Sequence, residues 1–294
     1  MKERKILRNV ILFVVIALAS GWVGLLIDNL LEPQPEGNTL GMGIWLVLPL
    51  LAVVLLRVFA GDGWKDIGFN PRLKGNVKWY FAGILIFPVV TALVLAIGKM
   101  MDWVSFSTFN ASVFFSVFAS LLATNFIKNI FEEFVWRGYL TTKLLKLKTK
   151  DFWLYLIVGG AWGIWHLPYY LFFLPESDIT QILPINRLVF ALIAIISMIC
   201  WSVMFVELYR ITGSIWSVVI LHTVEDSLIN HLLIDGHIII AQGKEIFISP
   251  IVGIITTIFY LTIGLLLRKK RIEEEKANNF LSPTNTNDLE PVGQ

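Results

Sequence analysis

Residues 125–138 read Asn125-Phe126-Ile127-Lys128-Asn129-Ile130-Phe131-Glu132-Glu133-Phe134-Val135-Trp136-Arg137-Gly138. Two adjacent glutamates, and an arginine four residues after the second, sit in a run that is otherwise apolar. Phe114 to Leu122 precede them and Tyr139 and Leu140 follow. Such a run is long enough to cross a bilayer, where an ionised side chain costs at least a few kcal/mol. A membrane helix carrying three of them needs a compensating reason.

The rest of the chain makes the membrane reading firm. Of 294 residues, 56% are hydrophobic, and the mean hydropathy is +0.72. Soluble domains hold about 45–50% apolar residues, and here the excess falls in runs of about 18 to 22. The net charge of +2 and the lack of a basic stripe interleaved with aromatics exclude a nucleic-acid partner. The one cysteine, Cys200, rules out an intramolecular disulfide or a thiolate metal cluster and reads as a buried small hydrophobe. The first apolar run has no small-residue cleavage pattern and reads as a retained helix.

Eight spans follow: Leu7–Leu26, Leu40–Ala60, Trp79–Met100, Ser112–Leu140, Phe152–Leu174, Leu188–Arg210, Ser214–Ile234 and Pro250–Leu267. The loops between them alternate in charge. Lys2, Arg4, Lys5 and Arg8 precede the first span, whereas Asp28, Glu32 and Glu36 follow it. Basic loops recur after the second, fourth and eighth spans, which puts both termini in the cytoplasm of a multi-pass cell-membrane protein. The expected fold is an all-α polytopic bundle. Residues 1–111 hold three helices and an interfacial loop, 112–270 form the core of helices four to eight, and 271–294 form a disordered tail. In the loop Gly61–Arg72, Trp64 and Phe69 would lie at headgroup level.

Helical periodicity puts Asn125, Lys128, Asn129, Glu132, Glu133 and Trp136 on one sector of span four. Lys128 is one turn before Glu132, and Arg137 one turn after Glu133; both are ion-pair spacings. Span five contains His166, one turn after Trp162 and just before a helix-breaking Pro168. Span seven contains His222 and, one turn later, Asp226, whose carboxylate can orient the imidazole. Glu225 lies on the other flank and is expected to face a partner helix. At about 1.5 Å per residue, Glu132, His166 and His222 lie on the order of 15, 20 and 12 Å from the cytoplasmic ends of their helices. That common depth turns three separate anomalies into one expected site between helices four, five and seven. His231 and His237, at the outer end of span seven, fall outside it and read as non-catalytic. Trp153, Trp165, Tyr169, Tyr170 and Trp201 read as packing or interface aromatics.

These motifs resemble the CPBP family of CAAX proteases and bacteriocin-processing enzymes, also called Abi. Its pattern is Glu-Glu-x-x-x-Arg on one helix, aromatic-x-x-x-His on a second and His-x-x-x-Asn/Asp on a third. Here they are Glu132, Glu133 and Arg137, then Trp162 and His166, then His222 and Asp226. Trp162 stands where Phe is usual, and Asp226 where Asn is frequent. Asp226 adds a third carboxylate, which either keeps at least one of the three protonated or demands a cation: a protonated histidine, Lys128, or a divalent metal such as zinc. The resemblance implies an intramembrane endopeptidase of glutamate or metallo type. In that reading Glu132 and His166 activate water, and Glu133 with Arg137 forms an orienting pair. His222 with Asp226 stabilises the oxyanion or ligates metal. Founding members cut prenylated C-terminal boxes, while bacterial members process peptides, confer bacteriocin immunity or regulate the envelope. The substrate expected here is a hydrophobic peptide or membrane protein within the lipid bilayer. The alternatives are a non-proteolytic regulator or scaffold of the same fold, and a proton-coupled transporter, against which the absence of repeats and broken helices speaks.

Overall fold

The computed structural model describes residues 2–35 and 37–281. Among the described residues, seven helices are long and apolar enough to cross a bilayer. They are α1 (Lys2–Asp28), α2 (Leu40–Val58), α3 (Val77–Met100), α4 (Ala111–Lys146), α5 (Asp151–Phe173), α7 (Arg187–Thr212) and α8 (Ile215–Ile234). Short α6 (Glu176–Ile182) caps the end of α5, and α9 (Glu245–Ile248) precedes α10 (Ile254–Leu281). Local sequence sets the boundaries. Thr39, Asn110, Asn186 and Ser214 each accept a backbone N–H of the first turn of the helix that follows. Gly213 takes the left-handed conformation (φ 61°) that ends α7, and Ser214 opens α8 at once.

The expected eighth span differs from the other seven. Its helix starts at Ile254 rather than Pro250, and the apolar part before Arg268 is about 14 residues, or about 21 Å. The helix then continues through residues 271–281, which the sequence reading assigned to a disordered tail. Pairs one turn apart sustain it, Lys270 with Glu274 (3.6 Å) and Arg271 with Glu275 (2.9 Å). Residues 282–294 of that expected tail lie outside the described residues. Cys200 is half-buried rather than buried.

Small residues let the helices approach closely, the dominant packing device where lipid removes the hydrophobic drive. A side chain at Gly159 of α5 would meet the Ile199 Cα of α7 at 2.7 Å, and one at Gly264 of α10 would meet the Met204 backbone nitrogen at 2.7 Å. Two short strands, β1 (Val104–Ser105) and β2 (Ile239–Ile240), pair antiparallel and tie the loop after α3 to the loop after α8.

The segment Gly61–Arg72 is an ordered strap across the opposite end. Asp66 binds Arg57 (2.6 Å), Lys143 (2.9 Å) and Lys146 (2.5 Å), and Tyr139 donates to Asp62 (2.7 Å). Burial pushes the Asp66 carboxyl up, but hydrogen bonds from Arg57, Lys146 and Lys143 outweigh it and hold the group well below the usual carboxylate range. Trp64 and Phe69 remain largely exposed on this strap.

Candidate active site

The three motif-bearing helices each depart from α-geometry at the motif. A widened π turn spans Trp136–Thr141 in α4, another Tyr169–Phe173 in α5, and a third Asp226–Asn230 in α8. Such turns redirect side chains and free backbone groups, and they concentrate at functional sites. Arg57 Nη2 donates to the Gly138 carbonyl inside the first (2.7 Å), and Trp45 Nε1 donates to the Trp165 carbonyl at the break before the second (2.9 Å). Trp45 stacks between Trp165 (4.2 Å) and Tyr169 (5.1 Å), which fixes the helix bend that carries His166.

Both expected ion pairs within α4 are present. Arg137 Nη1 donates to Glu133 Oε1 at 2.8 Å, and Lys128 Nζ lies 3.2 Å from Glu132 Oε1. The cross-helix bonds are new information. His222 Nδ1 donates to the same Glu133 Oε1 at 2.8 Å. The carboxylate that orients His222 is therefore Glu133. Asp226, expected in that role, lies 3.8 Å from the other ring nitrogen, Nε2. Glu225, expected to face a partner helix, instead lies 3.7 Å from Nε2 and lines the cavity, since it stands three residues after His222 in regular helix and shares its face.

Arg137 makes its one side-chain hydrogen bond while stacked between the rings of Trp162 (4.3 Å) and Phe205 (4.4 Å). Cation–π contact in a desolvated site is worth about 2 kcal/mol, and it retains the guanidinium where water is absent. Trp162 does more than a phenylalanine could, since its Nε1 donates to Glu132 Oε2 at 3.2 Å. Its backbone carbonyl also accepts from His166 Nδ1 (2.9 Å). That bond leaves Nε2 of a neutral His166 with the free lone pair, the arrangement a general base requires.

The cation demanded by three carboxylates is present in the chain itself. Lys128 Nζ lies 2.9 Å from Asp226 Oδ2 and so bridges Asp226 to Glu132. Asn129 donates to Asp226 at 2.7 Å and Asn230 at 3.2 Å, while Asn125 donates to Ser227 at 2.9 Å. Asn125 and Asn129 fall on the polar sector read from sequence; that they serve α8 could not be read there.

A cavity of about 470 Å³ opens beside this cluster. Lys128, Trp162, His166, His222, Glu225 and Asp226 face it, and it runs outward to His231 and the exposed Asp235. Glu132 does not line it: Lys128 and Trp162 cover both carboxylate oxygens. Of the aromatics read as packing, Trp165 is buried and Trp153 is exposed, but Trp201, Tyr169 and Tyr170 line the cavity, the two tyrosines next to His166. Ligand atoms of His222, Glu225 and Asp226 lie within 4.8 Å of one another, so these three could hold a metal ion.

Convergence of Glu132, Glu133, Arg137, His166, His222 and Asp226 beside one cavity is what a shared hydrolytic site requires. No curated protein matches the sequence. Residues 114–228, which carry all three motifs, match the family model described as type II CAAX prenyl endopeptidase Rce1-like, so the motif-bearing segment is similar to the CAAX proteases.

Proposed function

We propose that the chain is an intramembrane endopeptidase that cleaves a hydrophobic peptide or membrane-protein segment, with the membrane core between residues 112 and 270 carrying the activity. Both termini would lie on the cytoplasmic side of the cell membrane. The observation that carries this reading is the buried bridge of Glu133 to both Arg137 and His222, which fixes an imidazole at the wall of a cavity that His166 also lines. Charges held this rigidly in a low-dielectric site are suited to stabilising charge that develops in a transition state.

In this mechanism the substrate carbonyl enters the cavity and exchanges for part of the Lys128 contact to Glu132. A water between Glu132 and His166 Nε2 loses its proton to that pair as its oxygen attacks the carbonyl carbon. The tetrahedral oxyanion is met by His222 as imidazolium, with Nδ1–H held by Glu133 and Nε2–H donated to the oxygen; Lys128 Nζ assists. Collapse breaks the C–N bond, and the proton taken from water passes to the leaving amine.

A second reading has its own observation. When His222 is neutral, its Nδ1–H to Glu133 leaves Nε2 with a lone pair beside Glu225 and Asp226, and this donor set of one imidazole and two carboxylates fits a divalent ion. A metal bound there would polarise the scissile carbonyl or a water. The two readings separate cleanly, because Nε2 serves either a proton or a metal. Chelator-treated protein retains cleavage in the first and loses it entirely in the second.

The deciding measurement uses purified protein in proteoliposomes with a panel of apolar peptides that includes a farnesylated CAAX peptide. The wild type should cleave at least one member, and Glu132→Ala and His222→Ala should not. Retention of cleavage or of the host phenotype by both variants would overturn the protease reading in favour of a scaffold.

A further inference from the structure

The outer end of the cavity carries a second cluster, separated from His222 by roughly 13 Å along α8. His231 Nδ1 lies 2.5 Å from Asp235 Oδ2, and the His237 ring packs across His231 with centroids 4.4 Å apart at 72°. One ligand atom from each of His231, Asp235 and His237 falls within 4.8 Å of the others. Both imidazoles are buried, whereas Asp235 is exposed. The hydrogen bonding around His231 is informative. Its Nε2 is 3.3 Å from the carbonyl of Phe114, which can only accept, so Nε2 carries hydrogen. In the neutral ring the Nδ1 lone pair then faces the Asp235 carboxylate, an arrangement that calls for a shared cation, a proton in the bare ion pair or a metal ion with the two ligands slightly farther apart.

An ion pair one helical turn apart would account for His231 and Asp235 but not for His237. That residue sits two positions before the β2 strand, whose pairing with β1 holds its loop, and its ring is braced by Phe109 and Phe114. Phe114 also stacks flat on His231 (5.0 Å, 12°). The surroundings thus hold two imidazoles rigidly together at a point where a lone histidine partner would have sufficed. A ring N–H to a backbone carbonyl is the usual outer contact of a metal-bound histidine, since it fixes the tautomer and the ring orientation.

We propose that His231, Asp235 and His237 form a site for a divalent metal of the zinc class at the rim of the cavity. Two nitrogens and a carboxylate oxygen are a three-ligand zinc set, and the exposed Asp235 side leaves the fourth position to water. Because Phe114 belongs to α4, His231 to α8 and His237 to the following loop, an ion there fastens three elements around the mouth of the cavity. Occupancy therefore sets how freely that mouth opens, independently of the chemistry at His222.

The test is a zinc chloride titration of metal-stripped, full-length protein in detergent, read by competition with a chromophoric chelator and by thermal unfolding. Wild type should bind zinc saturably and unfold at higher temperature with it. His237→Gln and Asp235→Asn should each weaken binding at least tenfold and remove the thermal shift, while His222→Ala retains both. His237→Cys, which restores a ligand, should recover binding, and X-ray absorption of the wild-type complex should show two imidazoles. The proposal is overturned if wild type binds no zinc, or if binding is lost in His222→Ala and unchanged in His237→Gln and Asp235→Asn. Binding and unfolding need no substrate, so a failure here is distinct from a failure of the protease reading.

Discussion

Glu133 and Glu207 are both fully buried carboxylates on membrane-spanning helices, and both face an arginine. Around Glu207 each oxygen is taken. Tyr155 donates at 2.6 Å, Arg210 at 2.9 Å and Arg271 at 2.5 Å, and Asp151 ties Arg210, Arg268 and Arg271 together. The cavity beside His222 does not reach this cluster, which locks α5, α7 and α10 at the strap end of the bundle. Around Glu133 the satisfaction is incomplete. Glu133 Oε2, two nitrogens of Arg137 and Asn129 Oδ1 are buried without a hydrogen-bond partner, and a cavity opens alongside. Buried charge by itself therefore does not mark a site. A buried charge tied through His222 to the wall of a cavity, with hydrogen-bonding capacity left over around it, gives a transition state something to engage.

Substitutions can break this contrast. The largest effect is expected for Glu132→Gln: cleavage falls by about 10³-fold while the unfolding temperature stays near wild type, read by peptide cleavage and a thermal melt on the same preparation. Glu207→Gln should do the reverse. It leaves buried arginine charge under-compensated and costs about 3 kcal/mol of stability, with activity per folded molecule preserved. If Glu207→Gln abolished cleavage in stable protein, the division between the two clusters would fail.

Trp162→Phe sharpens the comparison inside the site. The ring that stacks on Arg137 survives and the hydrogen bond to Glu132 is lost, so kcat should drop by about 3- to 10-fold with little change in KM, measured by initial rates. A loss as large as that of Glu132→Gln would mean that the stacking had also collapsed. The smallest effect on activity is expected at the strap. Asp66→Asn should leave cleavage per folded molecule unchanged and cost about 2 kcal/mol of stability at neutral pH, since Arg57 and Lys143 are buried but keep the Gly63 carbonyl and Asp62 as partners. The folded carboxyl of Asp66 is held below its unfolded value of about 3.9, so that contribution is present above about pH 4 and fades as pH falls below it. Chemical unfolding of both proteins at pH 7 and pH 3 should show the gap beginning to narrow at the lower pH.

How much of this was legible depends on the range of each contact. Lys128–Glu132 and Glu133–Arg137 are one turn apart on one helix, and spacing alone predicted them. Depth counting brought Glu132, His166 and His222 together because rise per residue is nearly invariant in a membrane helix. Glu207 escaped notice because its partner Arg271 is 64 residues distant and lies where a tail was expected. Glu225 was placed towards a partner helix because spacing shows only that it can share a face with His222, not that this face of α8 turns to the cavity. His231 and His237 were set aside singly, since nothing in the sequence shows that a loop folds one ring against the other.

The sequence by itself determined a membrane bundle, the pairing of charges along α4 and the family of the motif-bearing segment, all properties of local spacing and order. Only the tertiary structure decided that Glu133, rather than Asp226, orients His222, that Lys128 neutralises Asp226, and that Trp162 reaches Glu132. Those contacts depend on the rotation of each helix about its own axis, which is fixed by packing against its neighbours and leaves no trace in residue spacing.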